Sequence, residues 1–338
     1  MRTRSTWIAL LAFALAASAA RAQAPPRPFL KSVGFTAAEI ASFDKGGVVT
    51  KILPTKEDLD AAVIGAVRVS ASPDALIDKI RTLDVLKNAA TVLQYGRFSD
   101  PPRIEDLAGL TIDDKELEDF EECKVGSCDL KLGAGAMELA RKVDWKAKDA
   151  HAQASQLLKQ AMIDGANAYL RSGAMGLYVD NAAPESVVEG MNKILAESPY
   201  LVQYDAGLGK YVLEFPKTSL PGAETVLYWS KDKVRKPVVS LHHLVIYKKP
   251  GATPSPYLVV DKHVYDSHYF LATVDFVGIV PEAEAAKGFS IIYLTRTRID
   301  PPRSFRGTLL GKIKGGMKDA IEARLKNGKA RLEGTGAR

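Results

Sequence analysis

The chain has 338 residues, 46% hydrophobic and 25% charged, the balance of a globular protein rather than a disordered or fibrous one. Its formal charge is +6, but Arg2, Arg4 and Arg21 sit in a leader; the 46 Lys and Arg less these three leave 43 against 40 Asp and Glu, a net +3. That excludes a strongly basic nucleic-acid surface, and no recognition motif for nucleic acid occurs.

Arg2 and Arg4 precede an apolar run from Trp7 to Ala20, which ends in the small-x-small triplet Ala20-Arg21-Ala22. This is the pattern of a secretory signal peptide, with cleavage expected after Ala22. The run is shorter than the roughly 20 residues of a bilayer span. The mature chain is therefore expected in the periplasm or outside the cell, where thiols oxidise and nucleotide cofactors are not at hand. No cysteine stands at the cleavage site to carry a lipid anchor.

Gln23 to Phe29 is proline-rich and reads as an extended arm. Thr36 and Glu39 form a capping box for a short helix that stops before Gly46-Gly47, so residues 23–45 are an arm plus helix. Val48 to Leu53 and Ala61 to Val69 are β-branched and predict strands. Ser72-Pro73 places an N-cap and a first-turn proline ahead of a helix carrying Leu76, Ile77, Ile80 and Leu83. A second short helix is expected around Asp84 to Asn88, then a strand over Thr91 to Phe98. From about 113 to 221 the signals are helical: a stripe through Ala154, Leu157, Leu158, Ala161, Met162, Ala168 and Tyr169, a helix from Pro184, and a third near Tyr204 to Leu213. The last third returns to strands at Thr225 to Trp229, Val238 to Tyr247, Tyr257 to Val280 and Phe289 to Arg298. A long C-terminal helix follows Asp300-Pro301-Pro302, with apolar positions from Phe305 to Leu332. Tyr257 to Val280 cannot cross a membrane, because Asp261, Lys262, Asp266 and Asp275 interrupt it.

The only cysteines, Cys123 and Cys128, are five apart, and in an oxidising compartment such a pair predicts a disulfide. Gly126 lets the chain turn back between them. Redox pairs have two intervening residues rather than four, and a metal site would need more ligands nearby.

Ala62 to Leu76 is a strand running through Ala71-Ser72-Pro73-Asp74 into a helix, and Phe289 to Asp300 leads into the helix of Phe305 to Leu332. This order of elements resembles the α+β helix-grip fold of the START-related (SRPBCC) superfamily, which includes polyketide cyclase-like and birch-pollen-allergen-like domains. The resemblance covers about 46–112 and 222–333, within a domain of 46–333. It makes the helical stretch of about 113–221 an insertion. It implies an antiparallel curved sheet wrapped on the C-terminal helix, and a hydrophobic small molecule or lipid bound between them.

Within Tyr257 to Val280 the even positions are the more apolar and are expected to face the core or cavity. That places Lys262, Asp266 and His268 together, with Phe270 beyond them, as a polar anchor for a ligand or an acid–base pair. Ile313 and Met317 would line the same cavity from the helix. No catalytic residue is assigned and no cofactor is expected. Neighbouring His242 and His243 point to opposite faces of a strand, and no His-Glu-x-x-His spacing occurs, so no metal set is readable. A Gly-x-Ser-x-Gly elbow is also absent. The first functional expectation is a periplasmic carrier of a hydrophobic molecule. The alternatives are an enzyme of the same fold acting through a His/Asp pair, and a non-catalytic envelope adaptor using the helical insertion. The basic C-terminal helix, with Lys312, Lys314, Lys318, Arg324 and Lys326, also suits transient contact with an anionic membrane surface.

Overall fold

The structure, a computed structural model, describes residues 26–86, 89, 91–179, 184–198, 205–282, 288–300 and 308–335; the expected leader lies outside the described residues. Two short helices, α1 (Pro26–Ser32) and α2 (Ala37–Asp44), come first. The prolines therefore do not make an extended arm. Pro26 and Pro28 fall in the first turn of α1, where no backbone N–H is required, and Leu30 is buried. In α2 the capping box is reciprocal: Glu39 N–H donates to Thr36 Oγ1 at 3.2 Å, and Thr36 N–H to Glu39 Oε2 at 2.6 Å.

Strands β1 (Val49–Leu53) and β2 (Asp60–Val69), helix α3 (Pro73–Arg81) and strand β3 (Val92–Arg97) follow. After α3 the chain turns instead of starting a further helix: Leu83 adopts φ +62° and the Leu86 N–H donates to its carbonyl at 2.9 Å. The middle segment holds α4 (Asp114–Glu122), α5 (Ala134–Ala140), α6 (Ala150–Ser172), α7 (Val187–Ala196) and α8 (Ala206–Glu214). Between α6 and α7 lies a small hairpin of β4 (Leu177–Tyr178) and β5 (Glu185–Ser186). Strands β6 (Ala223–Asp232), β7 (Val238–Lys248), β8 (Tyr257–Asp266), β9 (Phe270–Pro281) and β10 (Phe289–Ile299) precede the C-terminal helix α9 (Thr308–Leu332). No described helix is long and apolar enough to cross a membrane.

The run read as one strand from Tyr257 to Val280 is two. Ser267-His268-Tyr269 reverses the chain, with Tyr269 at φ +62° and the Phe270 N–H donating to the His268 carbonyl at 2.7 Å. β8 and β9 then pair antiparallel, with Val260 opposite Phe276. The eight-stranded sheet has the order β1-β2-β10-β9-β8-β7-β6-β3 with every pairing antiparallel. With α9 laid on one face, this is an α+β architecture consistent with the helix-grip fold.

Both faces of the sheet are covered. α3 and α9 pack on one, where Ile77, Ile80, Ile321 and Leu325 meet Val63, Val67, Val259 and Ile291. On the other, α1, α2, α7 and α8 bury Phe43, Ile194 and Leu208 against Ile64, Val245, Val260 and Phe276, while α6 sets Met162, Ile163 and Tyr169 against Trp229 and Leu241. The apolar stripe of α6 is thus used inside the fold. Charged pairs lock the insertion in place. The buried Lys231 ammonium of β6 reaches the Thr111 carbonyl at 2.9 Å, Asp113 at 2.9 Å and Glu116 at 3.2 Å, and Arg296 of β10 holds Glu197 at 2.8 Å.

Cys123 and Cys128 form the expected disulfide, with Cα atoms 4.5 Å apart. Gly126 is at φ +82°, and its N–H donates to the Val179 carbonyl at 2.7 Å, so the closed loop is tied to the hairpin. At the sheet edge, β3 shifts register between Val92 and Gln94, leaving Leu93 51% exposed.

Helix α9 is seated through its C-terminal half. Lys329 donates to the Arg68 carbonyl at 2.6 Å, and Glu333 accepts from the Ser70 N–H at 2.7 Å. Gly65 of β2 allows this approach: a Cβ there would lie 2.7 Å from Leu325 Cδ1, 2.8 Å from Ile321 Cγ2 and 3.2 Å from Thr50 Cγ2. Gly65→Ala is therefore expected to cost about 1–3 kcal/mol through overpacking. It should also raise amide exchange selectively along α9, as read by hydrogen–deuterium exchange.

Candidate functional site

Strand alternation sends successive side chains to opposite faces, and here each face has its own occupant. On β8, Tyr257 and Val259 join the core under α3 and α9, whereas Leu258 and Val260 join the core under the insertion helices. Asp261 and His263 continue the first set and Lys262 the second. On β7, Leu244 and Ile246 lie toward α3 and α9 together with His242, while Val245 and Tyr247 lie toward the insertion together with His243. The β7–β8 register shifts between Leu241 and His242, leaving Val264 without a cross-strand partner. Past that bulge the alternation is inverted. Val264 and Tyr265 both enter the core against α6, and Asp266 turns to the α9 side to meet His263.

The register therefore builds a row of polar side chains beneath α9. Tyr228 stands opposite His242, His242 opposite His263, His263 opposite Thr273, and Thr273 opposite Thr297. Next to it, Asp261 stands directly opposite Asp275, an arrangement of like charges that by itself destabilises a sheet. The partners compensate. Tyr228 OH donates to Asp261 Oδ2 at 2.5 Å and its ring stacks on His242 at 4.2 Å. Tyr293 OH donates to Asp275, and Arg324 of α9 donates to Tyr293 OH at 2.6 Å and lies 3.8 Å from Asp275. His263 Nδ1 bonds Asp266 Oδ1 at 2.9 Å, and Ser240 Oγ donates to the same oxygen at 2.5 Å. His242 Nε2 bonds Ser230 Oγ at 2.9 Å, and that hydroxyl donates to Asp232 Oδ2 at 2.5 Å.

The row is not sealed: the side chains of Asp261 and His263 are each 18% exposed, and Asp275 is 15% exposed. Burial opposes ionisation of Asp261, yet the neighbouring rings of His242 and His263 and the Tyr228 hydroxyl outweigh it and hold the carboxyl well below the usual range. Burial likewise opposes charging of His263, but Asp266, and after it Asp261 and Asp275, push it up to about 9. Four carboxylates, Asp232, Asp261, Asp266 and Asp275, gather here around two histidines and one arginine, so the cluster favours a cation or hydrogen-bond donors.

The residues singled out from sequence do not assemble into one site. Lys262 is buried on the insertion face, 3.4 Å from the Val212 carbonyl and 5.4 Å from the centre of the Tyr169 ring. It lines a small cavity with Tyr169, Met175, Val187 and Val188, and burial pushes its pKa down to about 8. Asp266 lies beneath α9 but pairs with His263, not His268. His268, in the turn, bonds the Asp129 carbonyl through Nδ1 at 2.8 Å and so docks the disulfide-bearing loop. Phe270 is half-buried at the start of β9 beside Tyr269. Ile313 and Met317 are half-buried on α9, and Met317 packs on the core below the helix. The open space beside Gly311, Gly315 and Gly316 shows that these glycines are not places of close packing.

Sequence reasoning missed His242, Asp261, His263 and Arg324. Asp261 and His263 belong to the odd face, which reads as the solvent side because it is the less apolar. His242 and His243 do point to opposite faces, but His263 arrives beside His242 from the adjacent strand. Only the β7–β8 register reveals that pair. In comparisons with known proteins, no family model and no curated protein matches the chain.

Acid sensitivity follows from the turn. Burial holds His268 down at about 4, against an ordinary 6.5, and burial with the charge of Lys262 holds His243 down at about 3. Below pH 6.5 the unfolded chain takes up protons that these rings in the folded chain refuse, so stability falls as the pH drops toward 4. The His268 share is on the order of 2–3 kcal/mol. His268→Gln should flatten the slope of unfolding free energy between neutral pH and pH 4 measured in urea, and an unchanged slope would contradict this assignment.

Proposed function

We propose that the chain is an envelope binding protein of START-related type. It would hold a hydrophobic small molecule in the cleft between the sheet and α9, with the polar end of that molecule on the row formed by His242, Asp261, His263, Asp275 and Arg324. The observation that carries this reading is the facing pair Asp261 and Asp275 beneath a helix, partly open to solvent and surrounded by five further polar groups. Packing alone has no use for such a cluster, and departures from good packing rules concentrate at functional sites. Leu76, Tyr95 and Met317, half-buried around it, supply apolar walls for the body of the ligand. The disulfide and the lack of any membrane-crossing helix among the described residues support a periplasmic or secreted working place, in line with the leader.

A second reading, an enzyme of the same fold, draws on the His263–Asp266 hydrogen bond of 2.9 Å. In that reading His263 takes the role that the sequence pattern gives to His268. The adaptor reading is less well supported, since the apolar stripe of α6 is spent inside the fold, on the sheet and on α4 and α5. Contact with an anionic membrane surface remains part of the proposal through exposed Lys312 and Lys326 of α9.

Native mass spectrometry of the mature chain, purified from a bacterial periplasm without detergent, is expected to show a bound small molecule. The double variant Ile313→Glu/Met317→Glu should lose it at least tenfold while keeping its circular dichroism spectrum. A bare wild-type mass, together with no uptake from phosphatidylethanolamine–phosphatidylglycerol vesicles, would overturn the reading. Chemical change of the retained molecule would favour the enzyme.

A further inference from the structure

Two of the atoms in the polar row are left in an unusual position. His242 Nδ1 and Asp261 Oδ1 are buried without a hydrogen-bond partner, yet they face each other at 3.3 Å. The bonds around them explain why. Ser230 gives its only hydroxyl proton to Asp232, so it accepts from His242, whose Nε2 must carry the proton. With a single proton on the ring, the Nδ1 lone pair points at a carboxylate lone pair, and a positive charge between them, a second ring proton or a bound cation, is what reconciles the two. His263 closes the third side: its ring centre is 4.2 Å from that of His242, and its Nδ1 is committed to Asp266, leaving Nε2 as the free nitrogen. One donor atom from each of the three residues lies within 4.8 Å of the others.

We propose that His242, Asp261 and His263 bind a divalent transition-metal ion such as Zn2+ through His242 Nδ1, Asp261 Oδ1 and His263 Nε2, the ion displacing to solvent the proton that His263 Nε2 otherwise carries. A tetrahedral zinc at about 2.1 Å from each ligand requires donor atoms about 3.4 Å apart. The His242–Asp261 pair already has about that separation, and the third donor lies within 4.8 Å of both. The outer partners are those that metal ligands use. Asp266 orients His263, the Ser230–Asp232 chain orients His242, and Tyr228 holds the second oxygen of Asp261. Three protein ligands leave a zinc position open, and the partial exposure of Asp261 and His263 leaves it within reach of solvent. An ion there would supply the positive charge that the carboxylate-rich row lacks. The site stands without any assumption about a hydrophobic ligand.

The test uses the metal alone. Metal-stripped protein is equilibrated with Zn2+, dialysed and analysed for bound metal, in parallel with Asp261→Asn, His263→Gln and, as a control on the surface, His151→Gln. The expected result is one zinc per chain in the wild type and the control, at least tenfold weaker uptake in the other two variants, and a rise in the wild-type melting temperature that EDTA reverses. Because Asp261→Asn could disturb folding, Co2+ bound to the wild type provides a readout free of variants: visible d–d absorption that Zn2+ abolishes. A wild type that takes up no zinc and shows no cobalt bands overturns the proposal. Zinc retained at full strength in both Asp261→Asn and His263→Gln overturns it as well, since the ion would then be bound elsewhere. Neither outcome bears on whether a small molecule occupies the cleft, which the mass measurement on detergent-free protein reads separately.

Discussion

Every feature of the site depends on one constraint: the sheet is covered on both faces, so each strand has two interiors to serve. An antiparallel sheet commonly packs one face and leaves the other to water, which makes the alternation of apolar and polar residues easy to interpret. Here α3 and α9 occupy one face and the insertion helices the other. β2 is buried at nearly every position and β7 at all but its last. The middle helices are thus a second wall of the same core, fastened by buried charged contacts at Lys231 and Arg296.

Much of the architecture was legible. β-Branched runs located the strands, Ser72-Pro73 and Thr36/Glu39 located helix starts, and the spacing and compartment of two cysteines gave the disulfide. The failures share a cause. With both faces apolar, the more hydrophobic parity of β8 belongs to the face under the middle helices, so the rule that grouped Lys262 with Asp266 and His268 put side chains of opposite faces together. The reversal at Ser267-His268-Tyr269 contains neither glycine nor proline, and it is held by a left-handed tyrosine that tertiary contacts stabilise. The bulge at Val264 leaves no local mark either, yet it moves Asp266 from the parity of Lys262 to that of His263. Proline in the first turn of α1 was ambiguous between an extended arm and a helix start, and burial of Leu30 decided it.

The charged cluster on the α9 face of the sheet needs many partners to offset the burial of its carboxylates. Asp261 and Asp275 oppose each other, His242 Nδ1 faces a carboxylate oxygen at 3.3 Å, and Arg324 reaches across from the helix to an anchoring tyrosine. A chain selected only for a stable sheet would place Thr, Val or Ile at these positions. The Thr273–Thr297 pair in the same row, with hydroxyls 2.7 Å apart, shows the neutral solution available one strand further on. The contrast confines the ionisable part of the row to the strands from β6 to β9.

The shape of the sheet's borders has another consequence. An open sheet of eight strands exposes two rows of unpaired backbone groups, a template on which a second molecule could add its own strands. On β3, the irregularity at Leu93 breaks the even spacing of that row and twists it. On β1, the border is only five residues long, and Lys51 sits within it, bonded back to the Gly34 carbonyl. These two devices blunt both borders against edge-to-edge polymerisation.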